Sequence, residues 1–373
     1  MLVSVVRTGD YSERVMEQAV ERHFALLKLE RLLRPGMLVV LKPNLLMKRR
    51  PEEATTTHPA LAGAVAKALR RRGIDRIVLA DSPGGPYTRA QLSGIYGACG
   101  MAAEGERTGF ALNLETGHGE RENPRGEVCR AFSLIDPILQ ADLVINLCKL
   151  KTHCMTTLSG GVKNLFGCVP GLMKPELHCR FPRREEFCGM LVDLCETVRP
   201  GITFCDAVVS MEGDGPSGGV PVETGYTFCS ENPYALDSLL CRFGGFDEGT
   251  VETQAAAQRR GLWAEPEPVG DVLEVHPLKM PQSKPVDFMN QVPAALRRPA
   301  KYLMEHVAAP RPVIQKRLCV GCGKCAESCP AKAIDLREKK AGIRAKDCIR
   351  CFCCHEMCPV KAIRIRRLPF LQI

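Results

Sequence analysis

Eight cysteines carry the plainest chemistry in this chain. They fall in two runs of one grammar, Cys319-x-x-Cys322-x-x-Cys325-x-x-x-Cys329-Pro330 and Cys348-x-x-Cys351-x-x-Cys354-x-x-x-Cys358-Pro359. A four-iron cage needs four thiolates converging on a small volume. Three cysteines at i, i+3 and i+6 in a tight loop reach three irons, and a remote fourth closes the cage. Where two such runs pair, the fourth cysteine of each serves the other's cluster. The spacing therefore assigns Cys319, Cys322, Cys325 and Cys358 to one [4Fe-4S] cluster, and Cys348, Cys351, Cys354 and Cys329 to a second. Zinc sites use paired C-x2-4-C elements, which triplets with a C-P fourth member do not match. Cys353, inside the second run, is left over as a small buried residue or a neighbour of the cluster. The chemistry expected of this segment is one-electron transfer.

A second set of polar residues follows apolar runs in the first 280 residues. These are Lys42-Pro43-Asn44, Asp81-Ser82, Lys149-Leu150-Lys151-Thr152-His153, and Glu212-Gly213-Asp214. Lysines supply cations for an anionic substrate, and His153 has an ordinary pKa near neutrality, suited to moving a proton. His153 and Lys151 are the catalytic candidates. Lys42, Asn44, Asp81, Lys149, Lys163, Asn164, Glu212 and Asp214 are the binding candidates. Each has a plainer alternative: a solvated turn for the Asp and Asn residues, a hydrogen-bonded histidine for His153, or a divalent-metal loop for Glu212 and Asp214.

The elements that must position them alternate strand and helix. Leu2 to Arg7, Met37 to Leu41, Arg76 to Ala80, Ala141 to Leu147 and Gly201 to Val209 read as strands. Ser12 to Leu29 and Pro59 to Arg72 read as helices, the second stopped by Gly73. This is the grammar of an α/β domain with a largely parallel sheet. The polar cassettes follow strand ends, the edge at which open α/β sheets bind ligands, so one shared crevice is expected. Within Leu158 to Gly167 a glycine pair leads into a short helix next to Lys163, an arrangement suited to an anion. Neither a Walker A order nor a G-x-G-x-x-G fingerprint is present.

From Val313 to Arg367 the chain resembles bacterial-type two-cluster ferredoxins, and Ala331-Lys332-Ala333-Ile334 and Val360-Lys361-Ala362-Ile363 repeat one transition. The strings Lys149-Leu150-Lys151-Thr152-His153, Gly161-Val162-Lys163-Asn164-Leu165-Phe166-Gly167, Met211-Glu212-Gly213-Asp214-Gly215-Pro216 and Ala235-Leu236-Asp237, with Lys42-Pro43-Asn44, resemble the domain-of-unknown-function family 362. That resemblance covers roughly residues 1 to 250. It implies the same domain layout and a common site, and brings no reaction with it.

The chain has 373 residues, 45% hydrophobic and 25% charged, ordinary for a water-exposed globular protein. The expected layout is an α/β domain over 1–280, a proline-rich linker over 281–312, and a small α+β ferredoxin-like domain over 313–373. Residues 311–373 hold fifteen Lys plus Arg against five Asp plus Glu, a net of +10 beside +9 for the whole chain. That surface would steer an acidic redox partner protein. Basic residues without interleaved aromatics argue against nucleic acid. No apolar run nears the roughly 18 residues that span a bilayer. Eleven further cysteines without paired spacing, beside oxygen-sensitive clusters, point to a reducing cytoplasm. The expected function is electron transfer through two [4Fe-4S] clusters, as an oxidoreductase or its electron-feeding component acting on an anionic substrate. The alternatives are an electron carrier or adaptor docking a partner, and an enzyme whose clusters are structural.

Overall fold

The computed structural model describes residues 1–282 and 310–366. The expected linker over 281–312 lies for the most part outside the described residues.

Apolar runs in the first domain become strands because their side chains alternate between two buried faces. The strands of the central sheet are β1 (Leu2–Arg7), β2 (Leu38–Pro43), β3 (Arg76–Leu79) and β4 (Ala111–Leu112). A separate hairpin follows, β5 (His118–Glu122) with β6 (Ala131–Ile135). The central sheet continues with β7 (Leu143–His153), β8 (Thr157–Ser159), β9 (Ile202–Glu212), β10 (Val220–Ser230) and β11 (Glu267–Gly270). Its order is β11-β1-β10-β9-β7-β2-β3-β4, with β8 paired to β7. Strands β9, β7, β2, β3 and β4 run parallel, while β10 is antiparallel to both β1 and β9. The expected α/β class with a largely parallel sheet is what the chain adopts.

Alternation sorts the core. Val39, Leu41, Ile145 and Leu147 face one cluster with helices Glu13–Leu27 and Pro59–Arg71. Val40 and Val144 face the other side, where Phe187, Leu191 and Leu194 of helix Arg184–Val198 cover them. Cys148, Leu150, Cys205 and Ala207 on that side meet helix Pro233–Phe243. The sheet is thus buried on both faces, as parallel sheets require.

Strands β2, β3 and β4 extend outward on one side of β2. The chain then returns to place β7 on the other side. This reversal is a topological switch point, and it opens a crevice outside the carboxyl ends of β2 and β7.

Strands β7 and β9 run further than their apolar runs suggest. Lys149, Lys151 and His153 belong to β7, and Ser210 to Glu212 belong to β9. Pairing with β8 and β9 carries the polar segment on as strand.

The C-terminal module pairs β12 (Arg311–Ile314) with β15 (Ile363–Arg366), and β13 (Ile334–Arg337) with β14 (Lys340–Ile343). The internal repeat shows at atomic level. Lys332 and Lys361 both have positive φ, 50° and 52°. Ala333 N–H donates to Cys329 Sγ at 3.2 Å, and Ala362 N–H donates to Cys358 Sγ at 3.1 Å.

Candidate functional site

The ends of β2, β3 and β7, two short helices and the second cysteine run build the crevice. Lys42 ends β2 fully buried, and its ammonium donates to Asp81 Oδ1 at 2.7 Å and to the Pro43 carbonyl. Asp81 follows β3, and its second oxygen accepts Leu45 N–H at 2.8 Å. These bonds fix the end of β2 to the end of β3.

Lys151 on β7 donates only to neutral acceptors, Asn44 Oδ1 at 2.9 Å and the Thr55 carbonyl at 2.7 Å. Burial first, then the charges of Lys163 and Lys149, pull its pKa down to about 7. Asn44 donates to Asn164 Oδ1 at 2.9 Å, and Asn164 donates to Asn146 Oδ1 at 2.7 Å. This amide chain ties β2, β7 and the short helix Gly161–Asn164 together.

Lys163, on that helix, has no hydrogen bond or ion pair among the described residues. Its ammonium lies 4.7 Å above the Phe166 ring. Burial is the largest cause lowering its pKa, opposed by Glu356.

His153 is 1% exposed. Its Nδ1 accepts the N–H groups of Met155 and Thr156 at 3.0 and 3.2 Å. That assigns the ring proton to Nε2, 3.4 Å from Glu356 Oε1. Burial, with Lys163 and Lys151 nearby, drives the His153 pKa well below its usual value, so the ring is neutral.

Glu356 comes from the C-terminal module. The segment carrying it sits over the crevice: the Ser217 hydroxyl donates to the Glu356 carbonyl at 2.7 Å, and Phe352 and Ile365 pack with Cys154. Cys353, Glu356 and Met357 line the same cavity as Lys42, Asn44, Asp81, Lys151, His153, Lys163 and Asn164. The cavity, about 90 Å³, has room for a small molecule, since one water needs roughly 10–15 Å³.

Sequence reasoning missed part of this wall. Lys174 donates to Ser82 Oγ at 3.0 Å and to the Pro83 carbonyl at 3.3 Å, and burial lowers its pKa to about 7. His178, one turn later, stacks on Phe187 at 4.2 Å and meets Phe166 edge-on. Both line the cavity, on helix Met173–Arg180. Helical spacing i, i+4 was the available signal, but no apolar run brackets it.

Three expected binding residues lie elsewhere. Lys149 pairs with Asp206 at 2.8 Å and with the Tyr11 hydroxyl at 2.8 Å. Glu212 holds Lys279 through its ammonium at 2.9 Å and its N–H, and Asp214 accepts Gln282 N–H at 2.6 Å. Both carboxylates thus tie down the chain leaving the domain. The glycine pair serves an internal anion: Asp237 accepts Gly161 N–H at 2.6 Å and Val162 N–H at 3.0 Å. A Cβ on Gly160 would sit 2.1 Å from Asp237 Oδ1.

In the C-terminal module, Cys319, Cys322, Cys325 and Cys358 line one separate cavity. Burial, then the thiols of Cys358, Cys319 and Cys322, raise the Cys325 pKa. Burial, then Cys351, Cys348, Cys329 and Cys325, raise that of Cys354. Among the described residues no three metal-ligating side chains converge on a single-ion distance. Cys148, Cys154 and Cys168 belong to three different core clusters and Cys179 is exposed, so these four share no site.

Comparison with known proteins adds two matched regions. Residues 39–242 match the family model described as domain of unknown function (DUF362), and residues 311–359 match a 4Fe-4S dicluster domain. The chain is similar to a thylakoid-associated protein of Synechocystis sp. (strain ATCC 27184 / PCC 6803 / Kazusa), at 33% identity across 61% of this chain and 70% of that one. It is also similar to a coenzyme F420 hydrogenase subunit gamma of Methanococcus voltae, at 28% identity across 37% of this chain and 68% of that one. Among solved structures, the lactate racemase apoprotein of Thermoanaerobacterium thermosaccharolyticum aligns at 15% identity and TM-score 0.42, over 67% of this chain and 57% of that one. Among the described residues no helix is long and apolar enough to cross a membrane. With more than half its residues matched to the first model and its C-terminus to the second, the chain belongs to the DUF362 family and carries an iron–sulfur dicluster domain for electron transfer.

Proposed function

We propose that this protein is an iron–sulfur oxidoreductase, or the electron-feeding component of one, that reduces a small anion held in the crevice. One observation carries the reading: the second cysteine run closes over the crevice, with Cys353, Glu356 and Met357 in the same wall as Lys151, His153 and Lys163. Cys319, Cys322, Cys325 and Cys358 would hold one cluster, and Cys348, Cys351, Cys354 and Cys329 the other. When bound, these clusters supply single electrons.

The chain's own residues do the rest. Lys163, free of any protein acceptor among the described residues, binds the anion. Lys151 and the Asn44–Asn164 amides orient it. His153, neutral, donates a hydrogen bond from Nε2 to the bound group, while Glu356 beside it, its pKa raised by burial, is the group that can hold and give up a proton, refilled from solvent. Two electrons and two protons reduce the anion, with an external one-electron donor protein as the source of electrons. The basic C-terminal module suits an acidic donor, and the hydrogenase-subunit relative supports a partner protein. A reducing cytoplasm is the compartment that suits these thiols.

A carrier without its own substrate is the second reading. It is favoured by the exposure of Cys322 in the first run. Anaerobic purification with iron and sulfide assay and low-temperature EPR decides between them. Roughly eight irons, with reduced-cluster signals that disappear on adding an anionic metabolite fraction, is the expected result. Eight irons unresponsive to every small molecule would move the function to a carrier. Little iron, or zinc in its place, would overturn both.

A further inference from the structure

The two sets of cluster cysteines meet different surroundings. Ser328, Cys353 and Glu356 line the crevice. Three of the four cysteines assigned to the second cluster, Cys329, Cys351 and Cys354, therefore lie within two residues of the crevice wall. Of the first cluster's four only Cys358, beside Met357, does so. Burial, then the thiols of Cys351 and Cys329, raise the pKa of Cys179 on helix Met173–Arg180. The second set thus acts across the boundary between the modules.

The wall that this set meets is cationic. Lys42 is offset by Asp81 at 2.7 Å, which leaves Lys151, Lys163 and Lys174 against Glu356 alone. The lysines act as one group, since Lys163 depresses the pKa of both Lys151 and Lys174. Lys151 and Lys174 are buried and Lys163 is half-buried, so salt and water screen them little. Glu356 and Cys353 oppose the effect of burial on Lys163, which places the second run within its electrostatic reach. The cations of the first run are solvated instead. Lys316, Arg317 and Lys324 are exposed, and Lys340, which bonds the Cys319 carbonyl at 2.6 Å, is half-buried. At equal distance a charge acts roughly fourfold more strongly through protein than through water.

Resting on the two-cluster assignment and on no substrate in the crevice, we propose that the crevice lysines, Lys163 foremost, set the direction of electron flow by raising the reduction potential of the second cluster above that of the first. A nearby positive charge favours the more negative, reduced form. Burial alone works the other way, because a dry site resists added charge, and the lysines offset it. One electron passes from the reduced first cluster to the oxidised second, with no bond made or broken, and comes to rest beside the crevice. Lys163 is thus a positioning residue for the electron.

Anaerobic redox titration of the iron-loaded full chain, followed by EPR, tests this. Cys322→Ser disturbs the first cluster and so identifies its signal. In the parent, reduction by one electron per chain should place that electron on the second cluster. Lys163→Met should lower the preference for that cluster by about tenfold, a fall of about 59 mV for one electron, while the first potential stays in place. Lys163→Arg should keep the parent value. Lys163→Gln removes the same charge and serves if Lys163→Met does not load iron. An electron resting on the first cluster in the parent, an equal shift of both potentials on losing the charge, or no shift in either would each overturn the proposal. Iron content of the same samples tests the two-cluster assignment separately.

Discussion

Lys151 concentrates the site's electrostatics in one side chain. Its folded pKa is about 7, below the ordinary 10.5, chiefly because burial penalises the ammonium. Lys163 and Lys149 lower it further, while Glu356 and Asp81 oppose them. The unfolded chain therefore binds more protons than the folded one between these two values. Stability rises with pH across that window, and the contribution is lost as pH falls through about 7. Between pH 7 and 8 the term is on the order of 1 kcal/mol. Anaerobic calorimetric melting should show Lys151→Met with a flatter stability–pH slope than the parent over this interval; an unchanged slope would mean the lysine is not desolvated. Gly160 gives a steric prediction. With Asp237 Oδ1 at 2.1 Å from any added Cβ, Gly160→Ala should cost about 1–3 kcal/mol, as overpacking does, read as a lowered denaturation midpoint. The role of this glycine in a G-G-V-K-N string was legible only as backbone access for an anion. That the anion is Asp237, 77 residues further on, depends on helix Pro233–Phe243 docking there, which no local pattern encodes.

The sequence pattern located the elements well wherever apolar residues set the register. It failed where polar residues continued a strand. Strand β7 runs to His153 because β8 and β9 pair with it, and its lysines are buried among carbonyls and amides rather than solvated in a loop. The same extension separates Lys149 from the crevice. It pairs with Asp206 on the neighbouring strand, under the Tyr11 ring that stacks on His58 at 3.6 Å. Both ends of this pair are fully buried, so Asp206→Ala strands an ammonium and should destabilise the fold by about 3–5 kcal/mol, measured as loss of folded protein in denaturant. Helix Met173–Arg180 escaped notice for the opposite reason. Its cavity-facing residues are a lysine and a histidine, and hydrophobic periodicity cannot reveal a polar wall. Glu212 and Asp214 hold Lys279 and Gln282, so Glu212→Gln and Asp214→Asn should leave ligand affinity within about twofold of the parent. A tenfold loss in either would return these carboxylates to the site.

At the scale of the whole molecule, two modules share one cavity, lined by Ser328 of the first cysteine run and by Cys353, Glu356 and Met357 of the second. The second run is held over the crevice by Ser217, Phe352 and Met357. A Cβ on Gly218 would lie 2.7 Å from the His355 ring, so Gly218→Val should lift that run without touching a cysteine. Iron content should stay the same while amides of residues 348–358 exchange faster, and equal exchange would show that the contact does not hold the module. The start of the first run is open to solvent: Cys322 is exposed, and Leu318, Val320 and Val360 nearby are 49%, 63% and 41% exposed. Around it lies the +10 of residues 311–373, reduced by roughly two charges for each oxidised cluster with its thiolates and still positive. Long-range attraction falls as salt shortens the Debye length from about 30 Å at 0.01 M to about 3 Å at 1 M. Reduction by an acidic one-electron carrier protein should therefore slow as salt rises, while reduction by a cationic viologen radical should speed up. Stopped-flow rates with both reductants separate this from a general salt effect on the protein. Opposite slopes place electron entry on the basic face of the first run; parallel slopes would mean that charge does not choose the donor.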